Sequence, residues 1–308
     1  MAALGHKVRW EAKRRLKSVL DAAAGRAAAL LLALVHRCDR VWITNCGGAF
    51  MRTIGPWLPE HRTGRANLRA AFPEKSDAEI ETILRGVWDN LGRTGAEIAH
   101  LDHICSGDRY NRTYIDYTPE SIERFLAVKD DGKPAVVFAA HLANWELPAV
   151  IAASDGLEST VLYRRPNLGA VADAVIALRK GIMGEMVASS LGAPVTLARA
   201  LERGRHVAML VDQHYVRGID VTFFGRNCKV NPLIAMLARE AECPIHGTRV
   251  WRLPGNRFGA EISPAVEPVR DAEGRIEVAG TMQAITSVVE TWVREHPEQW
   301  LWLHRRWR

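Results

Sequence analysis

The chain has 308 residues, 48% of them hydrophobic, and a formal net charge of +6. That length and apolar content exclude a mainly disordered protein and predict one large α/β domain plus an appendage. Five scattered cysteines with no C-x-x-C pair exclude a disulfide framework and a zinc ribbon, and fit a reducing compartment.

The charge is unevenly spread. Residues 1–65 hold 12 Lys and Arg against 4 Asp and Glu, a net of +8, whereas the remainder holds 29 against 31. Within that basic region "AAAGRAAALLLALV", Ala22 to Val35, is interrupted only by Arg26. It is shorter than the ~20 residues a membrane-spanning helix needs. No small-residue cleavage site follows it, and Glu11 and Asp21 break the basic start, which argues against a signal peptide. A basic segment with Leu and Trp reads as a helical region lying on an anionic membrane surface, with a packed hairpin with a solvated basic face as the plain alternative.

Further along, Ser76 and Glu79 form a capping-box pattern ahead of Ile80, Ile83, Leu84, Val87, Trp88, Leu91 and Ile98 at helical spacing, which predicts a core-facing helix. From about Thr113 strands and helices alternate: "TYIDY", "PESIERFLAV", "AVVFAA", "STVLY", "AVADAVIALRK", "TLARALERG" and "HVAMLV". Then come "NPLIAMLAREAE", capped by Asn231 and Pro232, two strands about the turn "PGNR", and a last long helix "GTMQAITSVVETWVREH". The alternation predicts a mainly parallel central sheet flanked by helices, a three-layer α/β fold. Residues 1–60 read as the basic, membrane-associating helical region and 61–308 as a catalytic domain.

The box "HLANWE", residues 141–146, follows the apolar run "PAVVFAA". A His followed five residues later by an acid arises about once by composition alone. Three pairs fit here: His6/Glu11, His103/Asp108 and His141/Glu146. Only His141 follows a buried strand, and open α/β sheets bind ligands beyond the carboxyl ends of their strands. Pro148 is harmless in a first helical turn, so Asn144 is expected to cap a helix whose first turn holds Glu146, with the carboxylate meeting the His141 imidazole. A carboxylate on one ring nitrogen fixes the tautomer and stabilises the imidazolium formed when the other takes a proton. No G-x-S-x-G and no nearby Cys offers a protein nucleophile, so the hydroxyl to be activated belongs to a substrate. A structural His is the rival reading.

"HLANWE", "YRRPN", "LVDQ", "DVTFFG" and the terminal "PEQWLWLHRRW" together resemble the late acyltransferases of lipid A biosynthesis, the lauroyl/myristoyl group of the lysophospholipid acyltransferase superfamily, over roughly residues 60–308. The resemblance implies transfer of a fatty acyl chain from acyl carrier protein to a hydroxyl of an acyl chain on a Kdo-bearing lipid A precursor. His141 is then the general base and Glu146 its partner. The family pattern implies a basic residue after "YRRPN", Arg179 or else Lys180, and a supporting role for Asp212 beside Gln213. Arg164 or Arg165 would face phosphate or sugar carboxylate groups.

Phe223 and Phe224 read as core or as the frame of an acyl or head-group pocket together with Asn231. The terminal Trp and Arg residues, with Arg305, Arg306 and Arg308, suit a membrane boundary, and an edge strand fits them equally. His100, His103 and Cys105 lack a fourth ligand and finger spacing, so no metal is expected, and no phosphate loop or dinucleotide fingerprint calls for a cofactor. The expected setting is the cytoplasmic face of the cell inner membrane, with acyl carrier protein, the lipid A precursor and anionic lipid as partners and no nucleic acid. Two other functions remain open from sequence: the same chemistry on a lysophospholipid or amino-acid lipid, and a non-enzymatic basic protein binding membrane or nucleic acid.

Overall fold

The computed structural model describes residues 2–165 and 171–307, with side chains from residue 20 onward except that of residue 171. The side chains of His6 and Glu11, the end of "YRRPN" and Arg308 therefore lie outside the described residues. Helices α1 (Ala2–Arg37), α2 (Arg40–Ile54), α3 (Pro59–Ala71), α4 (Asp77–Glu97) and the short α5 (Leu101–Ile104) precede the sheet. Then follow β1 (Ile115–Tyr117), α6 (Pro119–Asp130), β2 (Val136–Ala139), α7 (Leu147–Ser154), β3 (Ser159–Tyr163), α8 (Val171–Lys180), β4 (Glu185–Ala188), α9 (Ala193–Glu202) and β5 (His206–Leu210). The chain continues through β6 (Ile219–Phe223), β7 (Arg226–Val230), α10 (Leu233–Ala241), β8 (Ile245–Leu253), β9 (Arg257–Ala265) and α11 (Val278–Glu295).

Seven strands form one sheet in the order β1-β9-β8-β2-β5-β3-β4, parallel except where β8 meets β9. The alternating strand and helix pattern thus gives a mainly parallel sheet with helices on it. Three strands were not foreseen. β4 is half exposed, with the pattern "EMVA" that lacks an apolar run, and "DVTFFG" opens an antiparallel hairpin, β6 with β7, outside the main sheet.

Side chains alternate across a strand. Val136, Phe138, Ala140 and Leu142 enter the main core beneath α9, α10 and α11, whereas Val137, Ala139 and His141 face the other side. The main core also takes Ile80, Leu84, Val87 and Trp88 from α4, whose Ser76 and Glu79 form the expected reciprocal capping box. Trp88 is 1% exposed, and its indole donates to His61 Nδ1 at 3.0 Å. Phe223 and Phe224 are core residues, at 0% and 6% exposure.

The C-terminal segment corrects two expectations. Trp300 and Trp302 are 3% and 0% exposed, so neither faces a membrane, and the segment is no edge strand: a short turn at Pro297–Gln299 leads to a single bridge pairing Leu142 with Trp300. It is pinned under the box loop, with Leu301 N–H donating to the His141 carbonyl at 3.1 Å.

α2 lies directly against α4. Gly47 and Gly92 permit that approach, since a Cβ on Gly92 would stand 2.1 Å from the Gly47 carbonyl oxygen. Among the described residues no helix is long and apolar enough to cross a membrane.

Candidate active site

β2 and β5 are parallel neighbours paired from Val136 with Val207 to Ala139 with Leu210. Continuing that register past both carboxyl ends sets His141 opposite Asp212. His141 Nδ1 lies 2.8 Å from Asp212 Oδ1, and the His141 backbone N–H donates to Oδ2 at 2.8 Å. The Trp300 indole donates to the same Oδ2 at 2.7 Å. Full burial opposes ionisation of Asp212, but its pairing with His141 and these hydrogen bonds outweigh it and hold the carboxyl down at about 2. An ionised Asp212 accepts, so Nδ1 of His141 carries the proton and Nε2 presents its lone pair. The Gln213 side-chain amide lies 3.2 Å from that Nε2, in reach to donate to it.

The expected contact between His141 and Glu146 is corrected by this geometry. The carboxylate on the imidazole is that of Asp212, and Glu146 is instead ion-paired with Arg179. Geometry explains the exchange: the box turns through Ala143 at φ 46°, so Glu146 stands at the N-cap of α7 and pairs with Arg179 of α8 rather than meeting the ring. Asn144 does act at the helix start, its side-chain oxygen accepting from the Glu146 N–H at 3.2 Å, although the helix itself begins at Leu147. Between the two basic candidates, Arg179 turns into the site and Lys180 is exposed. Among the described residues the buried Arg179 Nε has no hydrogen-bond partner.

His141 lines a cavity of about 920 Å³, with Asp212 buried behind it. Val137, Ala139, Val161, Ala208, Val250 and Ile262 give it apolar walls on the sheet, with Ile151 and Phe125 above. Its mouth is polar and basic: His141, Glu146, Arg164, Arg165, Arg179 and Gln213 all line it. Arg164 is exposed there, while Arg165 pairs with the exposed Asp173 at 2.8 Å. Asn231 joins the lining, and its side-chain oxygen accepts from the Leu233 N–H at 3.1 Å to start α10.

Three neighbours of the dyad lie within the quoted motifs "HLANWE" and "PEQWLWLHRRW" but were given no role at the site from sequence. Trp145 sets its ring 5.3 Å from that of His141. Trp300 is the second donor to Asp212 and comes from the far end of the chain. His304 lines the mouth, its basicity lowered by burial and by His141. The partnership of His141 with Asp212, by contrast, was readable in principle: "FAAH" and "MLVD" end two buried strands at equal rank, and adjacent parallel strands in register place such ends side by side.

A base with its orienting carboxylate, beside basic side chains on an apolar-walled cavity, suits proton removal from a substrate hydroxyl beside an acyl donor. The family model of bacterial lipid A biosynthesis acyltransferases matches residues 13–308, and the chain belongs to that family. No curated protein matches the chain. The protein is accordingly an enzyme that transfers acyl groups in lipid A biosynthesis.

Proposed function

We propose that this lipid A acyltransferase moves a fatty acyl chain from acyl carrier protein to a hydroxyl of an acyl chain already on a Kdo-bearing lipid A precursor, with His141 as the general base. The carrying observation is the His141–Asp212 pair at the apolar-walled cavity. The donor's hydrocarbon chain lies in the cavity and its thioester carbonyl stops beside Nε2. As the acceptor hydroxyl oxygen attacks that carbonyl carbon, Nε2 takes its proton, and Asp212 stabilises the imidazolium. The carbon–sulfur bond then breaks, the imidazolium proton passes to the departing sulfur, and the products are the new ester and the free thiol of the carrier.

The negative charge that develops on the carbonyl oxygen needs donors already in place. Among the described residues Arg179 Nε, buried and with no hydrogen-bond partner, and the Gln213 amide are suited to that role. Glu146 holds Arg179 by ion pairing, which assigns it to orienting the donor rather than the base. Arg164 faces outward at the mouth, where a bidentate guanidinium suits phosphate or carboxylate groups of the acceptor.

Residues 1–60 serve as the membrane-associating region and 61–308 as the catalytic domain, at the cytoplasmic face of the inner membrane. Leu30, Leu31 and Leu34 on α1, Trp42 and Phe50 on α2, and Trp57 just beyond it are all exposed. Apolar side chains on a basic segment favour the surface of an anionic bilayer. α1 packs on α8, the helix whose last turn holds Arg179.

The test is incubation of the purified protein with acyl carrier protein thioesters and a Kdo-bearing tetraacyl precursor, read by mass. A gain of one acyl group supports the reading. No gain with any chain length, alongside transfer to a lysophospholipid or an amino-acid lipid, overturns the acceptor.

A further inference from the structure

Behind the box loop, on the side away from the cavity, lies a second ion pair that the chemistry above does not use. Glu97 on α4 is 0% exposed and takes a two-point contact from Arg252 on β8, at 2.6 and 2.9 Å. The same guanidinium donates to Asn90 Oδ1 at 2.5 Å and Thr94 Oγ1 at 3.0 Å. Glu97 Oε2 also accepts from Asn144 Nδ2 at 2.9 Å. Asn144, itself fully buried, uses its other side-chain atom to accept the Glu146 N–H.

Ala143, the residue before Asn144, shows what is being held. Ala143 has φ 46°, a left-handed conformation that an alanine adopts only when its surroundings impose it. They do so on both sides of the peptide. The Ala143 carbonyl accepts from Thr94 Oγ1 at 3.0 Å and Asn90 Nδ2 at 3.2 Å, and its N–H donates to the Gln299 carbonyl at 2.9 Å. A buried ion pair adds little net stability over a well-packed apolar substitute, so stability alone does not account for one placed here.

We propose that Glu97 and Arg252, acting through Asn144, are positioning residues for acyl transfer: they hold the turn that presents His141 to Asp212 and Glu146 to Arg179. The role rests on the acyl-transfer reading above. Neither residue touches substrate, so the clamp acts on turnover and not on capture of the acyl donor.

The test is Asn144→Asp, which keeps the acceptor for the Glu146 N–H and replaces only the donor to Glu97. Two ionised carboxylates repel in that buried position, and one shared proton restores the contact. At about pH 8.5 the variant's kcat should fall at least tenfold with the KM for acyl carrier protein thioester unchanged, and its ratio to wild type should rise toward about pH 6.5. Hydrogen exchange over residues 140–147, compared with wild type at each pH, should lose protection and regain it over the same interval.

Thr94→Val is the second variant should Asn144→Asp fail to fold. It removes one donor to Ala143, with an expected severalfold fall in kcat at constant KM. Wild-type turnover with kcat and protection unchanged in the folded variants overturns the clamp, as does a loss expressed only in KM or independent of pH in Asn144→Asp. A wild type that transfers no acyl group overturns the acyl-transfer reading instead, and the exchange measurement still decides whether the clamp holds the loop.

Discussion

His141 and Asp212, 71 residues apart in sequence, meet because β2 and β5 are parallel neighbours in a register offset by the same number. Nothing local to the box produces the pair. It is a property of strand order, and it assigns the orienting carboxylate to the second strand end. Asp212→Asn would keep the shape while removing the charge, and an amide can direct its hydrogen toward Nδ1 and leave the proton on the wrong nitrogen. The acyl-transfer rate of that variant should fall by ~10² to 10⁴-fold at little change in fold. Steady-state kinetics beside circular dichroism checks both halves.

Glu146 and Arg179 should behave differently from the dyad. Glu146→Ala leaves the Arg179 cation largely buried without its partner, and Arg179→Ala does the same to Glu146. Removing one member of a buried pair typically destabilises by about 3–5 kcal/mol, so each single variant should lose both melting temperature and rate. Lys180→Ala should leave both near wild type, because Lys180 is exposed. Thermal unfolding with a parallel rate assay separates the three.

Acid stability supplies a prediction with a defined sign. The Asp212 carboxyl is held at about 2 in the fold against its ordinary value of 3.8, so folding favours its ionised form. The resulting stabilisation is complete above about pH 4 and is lost as pH falls through about 2. Asp212→Asn lacks this proton uptake and should lose less stability than wild type over that interval. Denaturant unfolding at a series of acid pH values measures it, and an equal or steeper loss in the variant would count against the assignment.

Cavity shape predicts chain selection. Ala139 and Ala208 are neighbouring small residues on the sheet wall. Ala208→Leu adds three carbons to that wall and should shift preference toward shorter acyl donors while leaving the dyad intact. A series of acyl carrier protein thioesters in competition would show it, and an unchanged preference would mean the chain does not lie there.

Much of this was legible in the sequence. The unbroken apolar run "AVVFAA" and the helical spacing from Ile80 to Trp88 report burial, so the sheet and α4 follow from hydrophobic pattern alone. The capping box is a purely local hydrogen-bond motif and is equally readable. β4 was not, because an edge strand that is half solvated carries no apolar run. Nor was the partner of His141 assigned correctly: spacing along the chain favoured Glu146, whereas the parallel register favours Asp212. The terminal tryptophans were misjudged for a related reason. Aromatic and basic residues in alternation look alike at a membrane boundary and in a core, and only the bridge to Leu142 decides.

The most direct measurement is the rate of acyl transfer from acyl carrier protein to the Kdo-bearing precursor by His141→Ala beside wild type, with His103→Ala as the control outside the box. A loss of ~10² to 10⁴-fold in His141→Ala, with the control unchanged, is the predicted result. Turnover near the wild-type rate in His141→Ala would contradict it, and the base would have to be sought elsewhere.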